Sequence, residues 1–402
     1  MKLIFDATEL SYYNENSGHR AGVFYVALNL FKEFKKADVD ITFHCDFRRH
    51  YFLKNISEFK EIPLLEEHSL LNNIIGWILY KTDKLPLKIK YLLIILARIY
   101  DKYAYKINKK NLEQLDKYEV YFSPFTPPSK EIQKSNIKKF RMIHDIIPIL
   151  ERGLSKNARD WYNKIYNTIN EQDYYFTNSE YTKNDVLKYF PYIQSSHIKA
   201  TLLGANEKFY QTSEKSEIKD KFIFSLCTLG KRKNLTFAIK NFFYFIEKNN
   251  ITDLKLVLGG GIWKNYEGEL ENIIKHYDRS KIILTGYIQE NELRKYYSNA
   301  LCFIYPSLYE GFGLPVLEAM QCGCPVITSD RSSLPEVIGD CGIMIDPECN
   351  EDMIQAYEKM YFNNEFRESC AKKGLARAKV FSWEKCASEI LQYISNNSSD
   401  RK

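Results

Sequence analysis

The chain has 402 residues, 45% of them hydrophobic, which is long enough for two packed domains and too apolar for a disordered protein. Its 57 basic and 51 acidic residues give a net charge of +6, too small and too mixed to indicate a nucleic-acid-binding protein. The nine cysteines form no CxxC pair, which favours reduced core cysteines in a cytosolic protein over a disulfide framework or a zinc site.

The first half of the chain alternates short β-rich runs with helical patterns. Its first ten residues form an apolar run that soon reaches Asp6 and Glu9, which predicts a first strand and not a signal peptide. The predicted strands are KLIFDAT, DITFHC, EVYFSP, KKFRMIHDIIP, DYYFTNS and HIKATLLG, and the clearest helices between them are VFYVALNLFKEFKK and EYTKNDVLKYF. This alternation predicts a parallel sheet with helices on both faces.

The composition then changes, and the alternation starts again. Residues 207–220 are polar and have no strand pattern, so we place the linker there. The second set of predicted strands is KFIFSLCTLG, DLKLVLGG, KIILTGY, ALCFIYP and CPVITSD. The sequence therefore predicts an α/β protein with two doubly wound, Rossmann-like domains, 1–206 and 207–381. Two such domains that face each other form a cleft at the carboxyl ends of their strands.

A glycine turn with two acids lies between a predicted strand and a predicted helix of the second domain. The segment is YPSLYEGFGLPVLEAMQCGCPVITSD, residues 305–330, in which Glu310 and Glu318 stand eight apart. Glycines let a backbone approach a ligand closely, and the free amides of a helix N-terminus favour a phosphate. Glu318 lies about one turn into the helix, where its carboxylate could accept paired hydroxyls of a ribose or a sugar ring. Without further context, such a turn is more often structural than functional.

The order of motifs along the chain resembles a known family. The run SLYEGFGLPVLEAM is similar to the donor-site signature of the GT4 family of retaining glycosyltransferases, which have the GT-B fold. Further similar motifs, in the family's order, are FDATEL, SGHRAGVFYVALNL, MIHDIIP, TLLGAN, GKRKNL, LTGYIQENELRKYYSNA and SLPEVIGDCGIMIDP. The subgroup they resemble is the bacterial mannosyl-type transferases of surface polysaccharide assembly.

The resemblance implies a role for each matching residue. Glu318 would bind the nucleotide ribose, and Glu310 would face the donor sugar near the reacting carbon. Lys233 would neutralise the leaving diphosphate, and His144 would lie across the cleft near the scissile bond. The implied catalytic set is His144, Glu310 and Lys233; the implied donor-binding set adds Arg232, Tyr287, Gly311, Phe312, Gly313, Leu314 and Glu318, with Gly22 on the acceptor side.

Each of these residues also has a structural interpretation. Lys233 could be a solvated lysine at a helix start, His144 a satisfied histidine at a strand end, and Asp145 a turn residue. Spacing alone favours these structural interpretations. For Lys233 and His144, the order of all the motifs together favours the functional interpretation instead.

The chain departs from the family pattern at two places. Many relatives carry an arginine about six residues before the lysine, where this chain has Cys227, and Arg232 is the candidate substitute. The first glycine loop has Ala21, Gly22 and Val23 where more glycines are common. An Asp-x-Asp pair, Asp38 and Asp40, lies in a predicted helix-to-strand turn, where aspartate is common for turn reasons. We therefore expect no essential metal and no cofactor.

The activity implied by the resemblance is transfer of a hexose, with retention, from a nucleotide sugar to a lipid-linked glycan acceptor. GDP-mannose is the first candidate donor, ahead of UDP-N-acetylhexosamines and dTDP- or GDP-deoxyhexoses. The final helix, 382–398, would cross back onto the first domain. The alternatives are a sugar-nucleotide hydrolase or epimerase of the same fold, and a catalytically silent sugar-nucleotide-binding scaffold.

Residues 70–110 combine apolar clusters with a strong positive charge. Nine Lys or Arg and two Asp fall between 81 and 110, and no apolar run is long enough to span a bilayer. Such a segment is either an ordinary buried helix with solvated lysines or an amphipathic element that lies on a membrane. A lipid-linked acceptor favours the second alternative. We therefore predict a cytoplasmic protein that docks peripherally on the inner face of the membrane.

Overall fold

The computed structural model describes residues 1–12, 22–45, 47–65, 115–150, 156–227, 230–261 and 264–398, together with eight single positions between 66 and 114. These residues form two six-stranded sheets in which every neighbouring pair of strands is parallel. Within the described part of the chain, no helix combines the length and the apolarity needed to cross a membrane.

The first sheet has the strand order β2-β1-β3-β4-β5-β6. Its strands are β1 (Lys2–Asp6), β2 (Asp40–His44), β3 (Val120–Ser123), β4 (Lys138–Ile143), β5 (Tyr174–Thr177) and β6 (Ile198–Ala200). The helices that accompany it are α1 (Gly22–Lys36), α2 (Phe47–Lys54), α3 (Lys130–Lys134), α4 (Ile147–Leu150), α5 (Lys156–Tyr166) and α6 (Glu180–Tyr189). Aromatic side chains fill one face of this sheet, where Phe5 packs against Phe31, Phe34 and Phe122 with ring centroids 5.6–6.1 Å apart.

The second sheet has the strand order β12-β11-β10-β7-β8-β9. Its strands are β7 (Lys221–Leu226), β8 (Leu254–Gly259), β9 (Ile282–Gly286), β10 (Cys302–Tyr305), β11 (Val326–Ser329) and β12 (Ile343–Ile345). Its helices are α7 (Leu235–Lys248), α8 (Lys264–Ile274), α9 (Glu290–Asn299), α10 (Leu314–Gln321), α11 (Leu334–Ile338), α12 (Asn350–Phe362) and α13 (Asn364–Ala378). From β7 the chain adds β8 and β9 on one side, and from β10 it adds β11 and β12 on the other side. The topological switch point therefore lies between β7 and β10.

The last helix, α14 (Trp383–Ser398), lies on the first sheet and not on the second. It packs against α1, and its Tyr393 ring contacts Phe176 and Tyr174 at centroid distances of 5.4 and 6.1 Å. Lys138 Nζ also donates to the carbonyl of Asn397 at 2.6 Å. The chain therefore crosses from one domain to the other twice, once before the second sheet and once after it.

The predicted fold class, two parallel-sheet α/β domains, is confirmed. Residues 207–220 carry neither helix nor strand. Two details of the predicted elements were wrong. The run KKFRMIHDIIP stops being a strand at Ile143 and enters α4 at Ile147, and β12 was not predicted because three residues are too few to show a pattern.

Candidate active site

The residues after β7 and β10 meet at the switch point of the second sheet. β7 is followed by a short 3-10 turn, Lys231–Lys233, and β10 by the segment that contains Glu310. β7 and β10 are neighbours in the sheet, so the side chains that follow them are brought together although 77 residues separate Lys233 from Glu310. Ligands of open α/β sheets bind in the crevice outside such a point.

Glu310 is buried and holds two cations. Its Oε1 accepts hydrogen bonds from Lys233 Nζ at 2.6 Å and from Ser307 Oγ at 2.5 Å, and Arg232 Nη1 lies 2.8 Å from the same oxygen. Burial alone would raise the pKa of Glu310, but the charges of Lys233 and Arg232 outweigh it and lower the pKa. Glu310 is therefore ionised at neutral pH, and the two cations are held side by side at the mouth of the crevice.

The glycine turn after Glu310 has a backbone that only glycine adopts easily. Gly313 has φ +108°, and a Cβ there would meet Leu334 Cδ2 at 2.7 Å. At Gly311 a Cβ would lie 2.2 Å from the carbonyl oxygen of His144 in the first domain. Ser333 Oγ donates to the carbonyls of Glu310 and Phe312 at 2.9 and 3.0 Å. The turn is thereby fixed from two sides immediately before α10.

The backbone amides nearest to Glu310 belong to the glycine turn that leads into α10. The helix begins at Leu314 with Pro315 in its first turn, and Gly313 makes no side-chain cap. The leading N–H groups of a helix lack partners within it and favour negative charge. The implied amide donors from Gly311 to Leu314 therefore lie on the strand-to-helix connection that Glu310 begins.

Glu318 lies on the second turn of α10 in a different environment. Tyr297 on α9 donates its hydroxyl to Glu318 Oε2 at 3.0 Å. Burial raises the pKa of Glu318 to about 7, and the nearby charge of Glu290 adds to the rise. The hydrogen bond from Tyr297 only partly offsets this rise, so the pKa of Glu318 moves in the opposite direction from that of Glu310.

His144 lies across the cleft, at the end of β4. Its Nε2 is 2.7 Å from the carbonyl oxygen of Pro124, so Nε2 carries the hydrogen and donates a hydrogen bond to that carbonyl. Burial lowers the pKa of His144, which keeps the ring neutral. The main chain of His144, and not its ring, makes the close approach to Gly311. The remaining ring nitrogen, Nδ1, is the one with a lone pair.

Two further predicted residues, Gly22 and Tyr287, differ in how close they lie to this crevice. Gly22 is the first residue of α1, and a Cβ there would be 3.6 Å from Leu314 Cδ1, so the start of α1 lies beside the glycine turn. Tyr287 follows β9, three strands away from β10, and its side chain is 54% exposed. The structure thus brings Gly22 to the Glu310 group and leaves Tyr287 apart from it.

Several polar residues of the site were not predicted. Lys233 Nζ donates to the hydroxyl of Tyr305 at 2.5 Å, and Ser332 Oγ accepts from Glu310 N at 2.8 Å. Asp145 accepts from Ile147 N at 2.9 Å, the turn role considered for it, yet burial also raises its pKa to about 6. Only the position of Tyr305 and Ser307 just before the glycine turn could have drawn attention to them.

The Asp-x-Asp pair lies away from this crevice. Asp38 adopts φ +54° in the turn before β2, and Asp40 is the first residue of β2, at the opposite end of the sheet from the carboxyl edge. Among the described residues, no three His, Cys, Asp or Glu side chains are grouped to hold a metal ion. The expectation that no metal is essential stays a prediction.

Two parallel-sheet domains that face each other across a crevice are the architecture of the GT-B fold class. Anabaena HepE, solved in complex with UDP and glucose, has the same fold with a TM-score of 0.65; the alignment covers 98% of this chain and 100% of HepE at 14% identity.

Comparisons with known sequences agree with this class. Residues 206–377 match the family model of Glycosyl transferases group 1, so the chain contains a domain of that family, and the resemblance seen in its motifs is confirmed. The chain is 30% identical over 239 residues to O-antigen chain mannosyltransferase B of Escherichia coli, which covers 56% of this chain. It is 32% identical over 182 residues, 44% of this chain, to an N-acetylgalactosaminyltransferase of Campylobacter jejuni that acts on a diphospho-undecaprenol-linked sugar. The chain spans 61% and 47% of the lengths of these two relatives.

Proposed function

We propose that the protein is a retaining glycosyltransferase that moves a hexose from a nucleotide diphosphate sugar to a glycan acceptor. The observation that carries the proposal is the pair Arg232 and Lys233, held at the switch point by Glu310, next to the backbone amides of the glycine turn before α10. When a glycosidic bond to a diphosphate breaks, negative charge develops on the leaving group. Preorganised cations and amides stabilise that charge without rearranging during the reaction.

Arg232 is proposed to replace the arginine that relatives carry near the position of Cys227. Its guanidinium pairs with the same oxygen of Glu310 as Lys233 Nζ, although Arg232 is five positions after Cys227 in the chain. Cys227 itself is buried, and burial raises the pKa of its thiol to about 12, so the thiol brings no charge to the site. A second positive charge from Arg232 accounts for the departure from the family pattern.

Glu310 is proposed to bind the donor sugar and not to attack it. Arg232, Lys233 and Ser307 all contact Oε1, and we propose that Oε2 accepts a hydroxyl of the sugar. A carboxylate with a lowered pKa and two ion pairs is a poor nucleophile. We therefore favour front-face displacement, in which the acceptor hydroxyl attacks from the side that the diphosphate leaves.

The donor and acceptor are proposed from the relatives' activities. The name of the Escherichia coli relative states a mannosyltransferase, which supports GDP-mannose as the first donor to test. The name of the Campylobacter jejuni relative states a sugar linked to undecaprenol diphosphate, which supports a lipid-linked acceptor. The test is nucleoside diphosphate release from each candidate donor, with and without lipid-linked glycan. Release without any acceptor would indicate a hydrolase, and no release with any donor would contradict the proposal.

Peripheral membrane docking is proposed for the segment 70–110, most of which lies outside the described residues. Among its described positions, six large apolar side chains are 43–58% exposed: Ile74, Trp77, Ile89, Leu92, Ile95 and Leu96. Several stand three or four residues apart, the spacing of one helix face. With nine basic residues between 81 and 110, such a face suits an anionic membrane surface in a cytoplasmic enzyme.

Liposome flotation tests this docking. Binding should need anionic lipid, fall with added salt, and weaken when Lys84, Lys88 and Lys90 are changed to Glu, because each basic residue near such a surface contributes about 1 kcal/mol. A matched control changes Lys240 of α7, which lies exposed in the second domain, to Glu. Absence of binding, or binding that ignores lipid charge and salt, would contradict the docking and leave the transferase proposal standing.

A further inference from the structure

The second domain completes the N-terminus of a helix in the first domain. Helix α6 is capped by Ser179, whose Oγ accepts a hydrogen bond from Thr182 N at 3.0 Å. The amides of Glu180 and Tyr181 donate to Glu336 Oε2 and Oε1 at 2.9 and 2.7 Å. Glu336 belongs to α11 of the second domain. A carboxylate at this position satisfies two amides and also interacts favourably with the helix dipole.

The same helix start holds the glycine turn of the donor site. Ser179 Oγ and Thr182 Oγ1 donate to the carbonyl oxygen of Gly311 at 2.9 and 3.2 Å, and both side chains are fully buried. The carbonyl and the N–H of a trans peptide point in opposite directions. Fixing the Gly311 carbonyl toward α6 therefore aims the Phe312 N–H away from α6.

Further contacts hold both sides of this junction in place. Arg377 Nη2 donates to the carbonyl of Glu336 at 2.7 Å and so anchors α11. On the other side, Tyr309 donates its hydroxyl to Asp185 Oδ2 on α6 at 2.5 Å, and its ring meets that of Tyr181 with centroids 5.8 Å apart. The two domains are thus joined immediately beside Glu310.

We propose that Glu336 is a positioning residue: it docks α6 on the second domain so that Ser179 and Thr182 set the orientation of the Gly311–Phe312 peptide in the donor site. This rests on the proposed transferase function. We call the three residues Glu336, Ser179 and Thr182 the interdomain clasp. The clasp makes the geometry of the donor turn depend on the first domain, so the site takes its active form only when the domains are closed.

Two variants separate the two halves of the clasp. Glu336→Ala removes the contact that docks α6, and we expect a larger radius of gyration in small-angle X-ray scattering of the free protein. The double variant Ser179→Ala, Thr182→Val keeps the contact of Glu336 with the α6 amides but releases the Gly311 carbonyl. It should stay as compact as the wild type. Both should lose about tenfold or more in kcat, since small misplacements of reacting groups are costly.

The matched control is Glu348→Ala, an exposed glutamate of the second domain whose side chain lies 3.5 Å from Arg331. It should keep both the wild-type scattering curve and the wild-type kcat. Glu336→Gln, which retains an acceptor oxygen, should lie between the wild type and Glu336→Ala in both measurements.

Unchanged scattering and unchanged kcat in Glu336→Ala would overturn the proposal. If this variant only lowered the melting temperature, Glu336 would be a helix cap with no positioning role, and the proposal would also fail. Wild-type kcat in the Ser179→Ala, Thr182→Val variant would overturn the positioning of Gly311. If the wild-type protein transfers no sugar at all, the proposed function fails, while the scattering comparison still decides whether Glu336 closes the domains.

Discussion

Glu310 and Glu318 stand eight residues apart, the first in the turn before α10 and the second within that helix, and their environments move their pKa values in opposite directions. Lys233 and Arg232 overcome burial and lower the pKa of Glu310, whereas burial beside Tyr297 raises the pKa of Glu318 to about 7. Environments that separate two neighbouring carboxyl groups in this way commonly mark different roles in one site.

Replacing Glu318 with Ala should weaken nucleotide binding. If its carboxylate accepts the ribose hydroxyls, losing a charged hydrogen-bond acceptor costs about 1.5–3 kcal/mol. Calorimetry with GDP, UDP and dTDP measures this loss, and Glu292→Ala on α9 is the control because that half-buried side chain pairs with Lys295. Equal affinities in Glu318→Ala and the wild type would refute the ribose assignment.

The same residue should make stability depend on pH. The pKa of Glu318 rises from 4.5 to about 7 on folding, so the folded protein binds this proton more tightly than the unfolded chain. The free energy of unfolding therefore falls as the pH rises through this interval. Glu318→Gln does not titrate, so its melting temperature should exceed that of the wild type at pH 8 and match it at pH 4.

Replacing Glu310 with Gln should change the pH dependence of stability in the opposite sense. Because the folded pKa of Glu310 is lowered, its charge stabilises the protein above the unfolded pKa. This variant should melt below the wild type at pH 8. Identical pH profiles for Glu318→Gln and the wild type would contradict the raised pKa of Glu318.

Lys233→Ala should lower turnover more than it lowers stability. Its charge is needed most in the transition state, when the diphosphate leaves, so kcat should fall while KM for the donor changes less. Lys240→Ala, an exposed lysine on α7, is the control. If activity fell only in proportion to the folded fraction at the assay temperature, Lys233 would be a structural lysine.

Gly313→Ala should destabilise the second domain. A side chain at φ +108° is strained, which costs on the order of 1–3 kcal/mol, and its Cβ would meet Leu334 Cδ2 at 2.7 Å. The control is Gly268→Ala in α8, where a Cβ meets nothing within 4 Å and the change should be neutral or stabilising. Calorimetric melting compares the two, and equal effects would contradict the strain at Gly313.

Turnover should survive treatment with EDTA. In the proposed mechanism Arg232, Lys233 and the amides of the glycine turn stabilise the charge of the leaving diphosphate, which is the task that a divalent cation performs in other transferases. The assay compares chelated enzyme with enzyme supplied with Mg²⁺ or Mn²⁺. A strict requirement for either ion would assign that task to a metal and direct attention back to acidic residues such as Asp38 and Asp40.

Sequence patterns were sufficient for the strands and for the glycine turn, and insufficient for the contacts between them. Eleven of the strands were recognisable as apolar runs, because strands with helices on both faces of the sheet consist mostly of apolar residues. The position of Arg232 on Glu310 could not be predicted, since it depends on the pairing of β7 with β10. The contact of Glu336 with Tyr181 joins residues 155 apart in the chain, and no local pattern indicates it.

The placement of α14 has a consequence for the order in which the protein is made. The first domain begins at the N-terminus but needs Tyr393 to cover the aromatic side chains of Tyr174 and Phe176. The second sheet ends at Ile345, so it leaves the ribosome complete while the first still lacks its last helix. The domain that is synthesised first is therefore finished last, and nascent chains that stop before residue 383 should expose an aromatic surface on which chaperones act.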